Sequence, residues 1–449
     1  MPVSPARVAA FDILLRVERE SSYASDLLHS HTHRDLSTVD HALATELVMG
    51  VLRWRSLLDA KISAASSQPL NKLDLEVLIA LRLAAYQFGW LTRIPPRAAL
   101  HESVELVKRA RKRSAAAFVN AVLRKLSKDP LCPSVHSVVS VVNLSADTLG
   151  NTYAHPLWLV ERWVKAYGLE AAKKICEYNQ STPATSIRLR TPTSESELAE
   201  EGISLAPGAL LTNARRIHSG DVTKTKPFRK GHIVIQDEAS QLIAPLIGQG
   251  HGQILDCCAA PGGKTVAIAD QNPGAAITAT EIHPHRARRM KKLFPEDSER
   301  VRILAADARN LPLAARFDRI LADVPCSGTG TLARNPEIKW RLKPEDLREL
   351  HDRQLAILRS AASHLKPAGR LVYSTCSLER EENEDVVEEA LRQDPNLRVT
   401  DCRHELDRMK AAGTLSWPDP ASLTSGPYLR TIPGIHPSDG FFAAILEQK

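Results

Sequence analysis

Ile254-Leu255-Asp256-Cys257-Cys258-Ala259-Ala260-Pro261-Gly262-Gly263-Lys264-Thr265 is the stretch that decides the fold. A short apolar run ends in an acid, and small residues with paired glycines lead into a helical pattern. Such a turn lets the backbone approach a ligand closely at the start of a helix. Working outward, similar apolar runs recur at 233–237 (IVIQD), 277–282 (ITATEI), 302–307 (RILAAD), 319–325 (RILADVP), 370–375 (RLVYST) and 441–446 (FFAAIL). Helical patterns separate most of them, notably Leu347 to Leu365 and Glu381 to Leu391. Strand and helix in alternation predict a doubly wound, mostly parallel, Rossmann-like sheet after Gly231. Ligands of such sheets bind beyond the carboxyl ends of the strands.

The turn is neither GxGxxG nor the Walker pattern, which disfavours a dinucleotide or a nucleoside triphosphate. Acids end successive strands at Glu281, Asp307 and Asp323. An acid after the second strand suits ribose hydroxyls, and one after the third suits a donor such as an exocyclic amine. Together they describe a neutral or cationic nucleoside ligand. The alternative is that each acid caps the helix that follows it.

The other end of the chain is different. Leu43, Leu47, Val51, Trp54 and Leu58 share one helix face, as do Val119, Val122, Leu123 and Leu126. Pro95-Pro96 separates two helical patterns and Pro130 closes the last. Residues 1–140 are therefore expected to form an all-α bundle, residues 141–230 a small α/β connector, and residues 231–449 the Rossmann-like domain. In the connector, a helix is expected from Pro156 to Tyr167 and a strand at SIRLRT, whereas 194–227 has no clear pattern. With 449 residues, more than one core is expected.

Net charge is +7, and between Lys108 and Lys128 stand eight basic residues and no acid. That run is either a solvated helix face or a phosphate-contacting surface. No apolar run approaches the ~20 residues of a membrane span, so no membrane partner is expected. Seven cysteines without a CxxC pair and sixteen histidines without HExxH spacing predict neither disulfides nor a metal. A reducing cytoplasm is the expected location, and nothing points to an obligate oligomer, so a monomer is expected.

Two cysteines stand out. Asp323-Val324-Pro325-Cys326-Ser327-Gly328-Thr329-Gly330 follows one strand and Tyr373-Ser374-Thr375-Cys376-Ser377 another. By strand position, both thiols reach the edge that carries the Gly-rich turn. Cytosine C5 is too electron-poor to attack a methyl donor until a thiolate adds to C6. An acid at N3 would neutralise charge that develops there. The scheme needs one nucleophile, and the residues alone do not choose between Cys326 and Cys376. Cys258 is expected to pack or offer backbone in the turn. Cys132, Cys176, Cys257 and Cys402 are expected to be structural.

Asp256-x-Cys258-Ala-Ala-Pro-Gly-Gly-Lys264, Asp323-x-Pro325-Cys326-Ser-Gly-Thr-Gly330 and Ser374-Thr-Cys376-Ser377 resemble signature motifs of the Sun (Fmu) RNA 5-methylcytosine methyltransferases. So do Gln236-Asp237-Glu238-Ala239-Ser240 and Asp439-Gly440-Phe441-Phe442. The N-terminal helices, with Leu47-Val48-Met49-Gly50-Val51-Leu52-Arg53, resemble a NusB-like RNA-binding domain, a combination found in the RsmB group of that family. The resemblance implies an S-adenosylmethionine-dependent enzyme that methylates cytosine C5 in 16S ribosomal RNA, unassembled or in an early small subunit. It implies Cys376 as nucleophile, Cys326 as the group assisting product release, and Asp323 facing the base, with Lys264 between ligand and base. Cys258, Ala259, Ala260, Pro261, Gly262, Gly263, Lys264, Glu281, Asp307 and Asp323 would line the cofactor site. At Glu281 the family more often has Asp. Rival readings are an inactive assembly factor and a transfer-RNA enzyme.

Overall fold

The structure, a computed structural model, describes residues 3–20, 22–30, 36–128, 145–191, 194–294 and 299–449. Pro130, Cys132 and the boundary expected at residue 140 lie outside them. The chain forms two compact units. One is Met1–Thr182 with Leu332–Arg341, the other Pro183–Thr331 with Leu342–Lys449.

The first unit is helical: α1 (Pro5–Glu20), α2 (Thr38–Ala65), α3 (Leu75–Trp90), α4 (Pro96–Arg109), α5 (Ala116–Leu126), then α6 (Ala146–Thr152), α7 (Leu157–Tyr167) and α8 (Leu169–Gln180). Ser37 caps α2 by accepting the Asp40 N–H. Of the expected faces of α2 and α5, all but the partly buried Leu43 are buried in one core, against which Leu43 packs. Of the basic run, Lys108 pairs with Glu105 at 2.6 Å, Arg109 with Asp12 at 3.7 Å and Lys112 with Asp74 at 3.0 Å. Lys125 donates to the Ala65 carbonyl.

Leu332–Arg341 belongs to this unit although its chain neighbours do not. The Lys339 ammonium is buried and donates to the Arg53 carbonyl at 2.8 Å, and Arg53 donates to the Ala333 carbonyl at 3.0 Å. Trp340 donates to the Leu52 carbonyl at 2.6 Å, and Glu337 accepts the Ala24 N–H at 2.8 Å. Burial drives the Lys339 pKa well below that of an ordinary lysine.

The second unit holds two sheets. Strands β1 (Ser186–Leu189), β2 (Ser204–Pro207), β3 (Ala214–Ser219) and β4 (Ile233–Ile235) form an antiparallel sheet in the order β2-β3-β1-β4. IVIQD is thus a strand, as expected, but it belongs to this small sheet and not to the doubly wound one. All three β4 residues pair antiparallel with β1.

The larger sheet is built from β5 (Gly252–Asp256), β6 (Ala275–Glu281), β7 (Val301–Ala305), β8 (Phe317–Asp323), β9 (Leu365–Thr375), β10 (Leu397–Thr400), β11 (Thr424–Ser425), β12 (Tyr428–Thr431) and β13 (Phe441–Gln448). Its order is β11-β12-β13-β9-β8-β5-β6-β7, with β10 beside β13. Strands β5 to β9 run parallel, and β13 is antiparallel to β9. The apolar runs of the inner strands are buried on both faces, in two cores, whereas the edge strand β7 leaves Leu304 exposed. Crossover helices α9 (Gly263–Gln271), α10 (Pro284–Lys291) and α11 (Asp346–Ser363) lie between the parallel strands in sequence, and α12 (Glu384–Gln393) follows β9. Among the described residues, no helix is long and apolar enough to cross a membrane.

Candidate active site

Parallel strands end together, so the residues just after β5, β6, β8 and β9 share one edge of the sheet. At β5 the chain leaves Asp256 buried, with Oδ2 accepting from Thr265 Oγ1 at 2.7 Å and Oδ1 without a partner. Burial raises the Asp256 pKa to about 7, against the hydrogen bond from Thr265. Gly262 turns the chain at φ +111°, and a Cβ there would lie 2.5 Å from Leu293 Cδ1. Only glycine suits that position. Cys258 is partly buried beside Cys257, and burial pushes its thiol well above the usual range.

The three acids differ. Glu281 accepts the His283 N–H through Oε1 but does not cap α10, which has no side-chain cap bond, whereas Asp307 accepts the Arg309 N–H and caps the 3-10 turn Ala308–Asn310. Asp307 also holds the Arg309 guanidinium at 2.6 Å, which keeps its carboxyl below the usual range. Asp323 caps nothing. Its Oδ2 meets Lys264 Nζ at 2.7 Å and its Oδ1 accepts from Ser374 Oγ at 2.7 Å. Burial works against the Lys264 ammonium, yet the charge and hydrogen bond of Asp323 prevail and raise its pKa. The ammonium lies 5.1 Å above the Phe441 ring.

Strands β8 and β9 are in register, Asp323 beside Ser374. The loops that follow bring Cys326 Sγ and Cys376 Sγ to 3.0 Å, and the Cys376 N–H points at Cys326 Sγ at 3.3 Å. Hydrogen bonding to Cys376, then burial and the charges of Cys376 and Glu382, push the Cys326 thiol well above an ordinary cysteine. Cys326 keeps its proton.

Both cysteine loops rest on a residue that the sequence did not single out. Glu382, fully buried, accepts the Ser327 N–H at 2.7 Å and Gln354 Nε2 at 2.9 Å through Oε1. Its Oε2 accepts from the Ser327 and Ser377 hydroxyls. Asn383 accepts from Thr375 Oγ1 and donates to the Ser377 carbonyl. The signal was a surplus of hydroxyls in both loops, whose buried donors need an acceptor from elsewhere.

The remaining motifs also meet. Asp237 Oδ1 accepts the N–H groups of Ala239 and Asp439 at 2.9 and 3.2 Å, tying the QDEAS turn to the start of β13. Gly440 donates to the Gly330 carbonyl at 2.8 Å, and Gly330 donates to the Cys376 carbonyl at 2.9 Å.

Comparison with known proteins agrees in kind. Residues 243–447 match the model of the 16S rRNA methyltransferase RsmB/F, residues 4–128 the NusB family and residues 155–222 a ferredoxin-like domain of RsmF/B-like methyltransferases. The "Probable ribosomal RNA small subunit methyltransferase B" of Bacillus subtilis is 35% identical over 88% of this chain and 90% of its own length. The chain belongs to the RsmB/F family of 16S rRNA methyltransferases. Another RsmB/F relative, the ribosomal RNA small subunit methyltransferase B of Cronobacter sakazakii, is 30% identical over 99% of this chain and 98% of its own length. The crystal structure of PH0851 shares the fold at a TM-score of 0.79 and 23% identity over the whole of both chains. NSun6 from Pyrococcus horikoshii, solved with SFG, shares it at 0.56 and 21% identity over 65% of this chain and 98% of its own.

S-adenosylmethionine is the cofactor, and the residues fit it. Glu281 spends only Oε1, on the His283 N–H, and keeps Oε2 for ribose hydroxyls. The glycine turn admits backbone contact, and the carboxylates at the strand ends suit a cationic nucleoside.

Proposed function

We propose that this enzyme methylates C5 of a cytosine in 16S ribosomal RNA, with Cys376 as nucleophile and Cys326 assisting release. Residues 1–140 would grip RNA, 141–230 connect, and 231–449 carry the chemistry. The acceptor would be unassembled RNA or an early small subunit, and the enzyme a cytoplasmic monomer. When bound, S-adenosylmethionine supplies an electrophilic methyl group; Cys258 to Lys264, Glu281, Asp307 and Asp323 would hold it.

The observation that carries the reading is the thiol pair at 3.0 Å, with the Cys326 thiol raised well above the usual range by its hydrogen bond to Cys376 and by burial. A protonated Cys326 can offer its S–H to the Cys376 sulfur, which suits Cys376 as the attacking group and Cys326 as the partner that eases its departure. The target base must first leave its stack. Cys376 Sγ bonds to C6 as the C5=C6 π bond opens, and its electron pair reaches C5 through the ring. The Lys264–Asp323 pair delivers a proton to N3 and so cancels the charge that develops there. After C5 has taken the methyl group, its proton passes to water and the S–C6 bond breaks. The electron pair returns to sulfur, where the Cys326 S–H stabilises the departing thiolate, and N3 returns its proton to the pair.

Incubation with tritiated S-adenosylmethionine and protein-free 16S RNA should label 5-methylcytosine. Cys376→Ala should abolish label. Cys326→Ala should trap a protein–RNA adduct that survives denaturation. Label in Cys376→Ala at the wild-type rate, or transfer RNA as the sole acceptor, would refute the reading.

A further inference from the structure

The sequence pointed to Lys108–Lys128 as the basic surface, but three of its cations are paired with acids and a fourth is bound to a carbonyl. A second basic run survives folding better. From His283 to Lys292 the chain carries Arg286, Arg288, Arg289, Lys291 and Lys292, two histidines and no acid. Ala287 and Met290 turn inward, and all five cations are exposed. None has an ion-pair partner among the described residues.

The run lies beside the site. It begins two residues after Glu281, and Leu293 at its end packs against the Gly262 turn. Ile282 and Leu293, 50% and 42% exposed, flank it with apolar surface that suits ribose or an unstacked base. Favourable interaction with the helix C-terminus accounts for a cation or two in the last turn, but not for five.

We infer that the outer face of α10 is a phosphate-binding surface for the RNA strand that enters the active site, holding the backbone next to the target nucleotide. This rests on the reading of ribosomal RNA as substrate. Phosphate contacts position a strand without reading its sequence, which is what a base displaced from its stack requires of its neighbours.

The test is Arg288→Gln/Arg289→Gln/Lys292→Gln in the full chain, with the lysine-for-arginine variant Arg288→Lys/Arg289→Lys as the charge-retaining control. Binding of protein-free 16S RNA is measured across a salt series. Three lost phosphate contacts at ~0.7 each should lower the slope of log K against log salt by about 2. KM for RNA should rise, affinity for S-adenosylmethionine should not change, and the control should bind as wild type. An unchanged slope and KM overturns the inference. So does loss of binding to phosphatidylserine vesicles with RNA binding intact, which would make the face a membrane contact. If wild-type protein itself neither binds nor methylates 16S RNA, the substrate reading fails instead.

Discussion

Replacing Gly330 by alanine should disable this enzyme without touching either cysteine. A Cβ on Gly330 would lie 2.2 Å from the Gly440 carbonyl oxygen and 2.8 Å from that of Cys376, where ordinary contact begins near 3.4 Å. The overlap is about 1.2 Å with one and 0.6 Å with the other, and both neighbours are backbone, which has no rotamer to yield. They are also hydrogen-bonded to Gly330 itself, at 2.8 and 2.9 Å. Relief therefore means moving the Cys376 peptide, the Gly440 peptide or both. Overpacking costs about 1–3 kcal/mol, and each weakened hydrogen bond about 1 kcal/mol more. The melting temperature should fall by roughly 5–15 °C for a unit of this size. A displacement of ~1 Å at a nucleophile costs on the order of 100-fold in rate. Thermal melting and single-turnover methyl transfer from tritiated cofactor read the two effects, and cofactor affinity should hold because the Gly262 turn is not involved. Melting within about 1 °C of wild type together with a rate within twofold would refute the argument that this contact positions Cys376.

Glu382→Ala strips four donors of their acceptor and should cost about 3–5 kcal/mol in urea unfolding. Glu382→Gln keeps one carbonyl oxygen and lets the Ser327 and Ser377 hydroxyls turn round, so kcat should recover in part; equal losses in both variants would show that Glu382 does not act through these bonds. Asp256 gives a pH prediction. An ordinary aspartate carboxyl titrates near 3.8, and burial holds this one protonated up to about 7 in the folded protein. Folding therefore binds a proton between those values, so its contribution is full below about 4 and is lost as pH rises through about 7. The full span is worth about 4 kcal/mol. Asp256→Asn should remove that component, so the variant gains stability relative to wild type between pH 5 and pH 8 in urea titrations. Parallel pH curves for the two proteins would refute the buried, protonated carboxyl.

Much of the molecule was legible because its signals are local. Apolar runs of strand length that end in Asp256, Glu281 and Asp323 are buried parallel strands, and burial on both faces demands that composition. The same holds for the helix faces at Leu47, Val51 and Leu58 and for the Gly-rich turn, since periodicity and backbone freedom are properties of neighbouring residues. What depends on residues far apart in the chain was not legible. IVIQD has the composition of a core strand, yet its partner is β1 of the smaller sheet. Leu332–Arg341 follows the Asp323–Gly330 stretch in sequence but buries Lys339 among helices of the other unit. Charge count favoured Lys108–Lys128, and only folding brings Asp12 and Asp74 to it while leaving α10 unpaired among the described residues. The sequence by itself determined that two cysteines stand at one sheet edge. Only the folded chain brings them to 3.0 Å over Glu382 and raises the Cys326 thiol well above the usual range, because a thiol's acidity is set by burial and by what faces it.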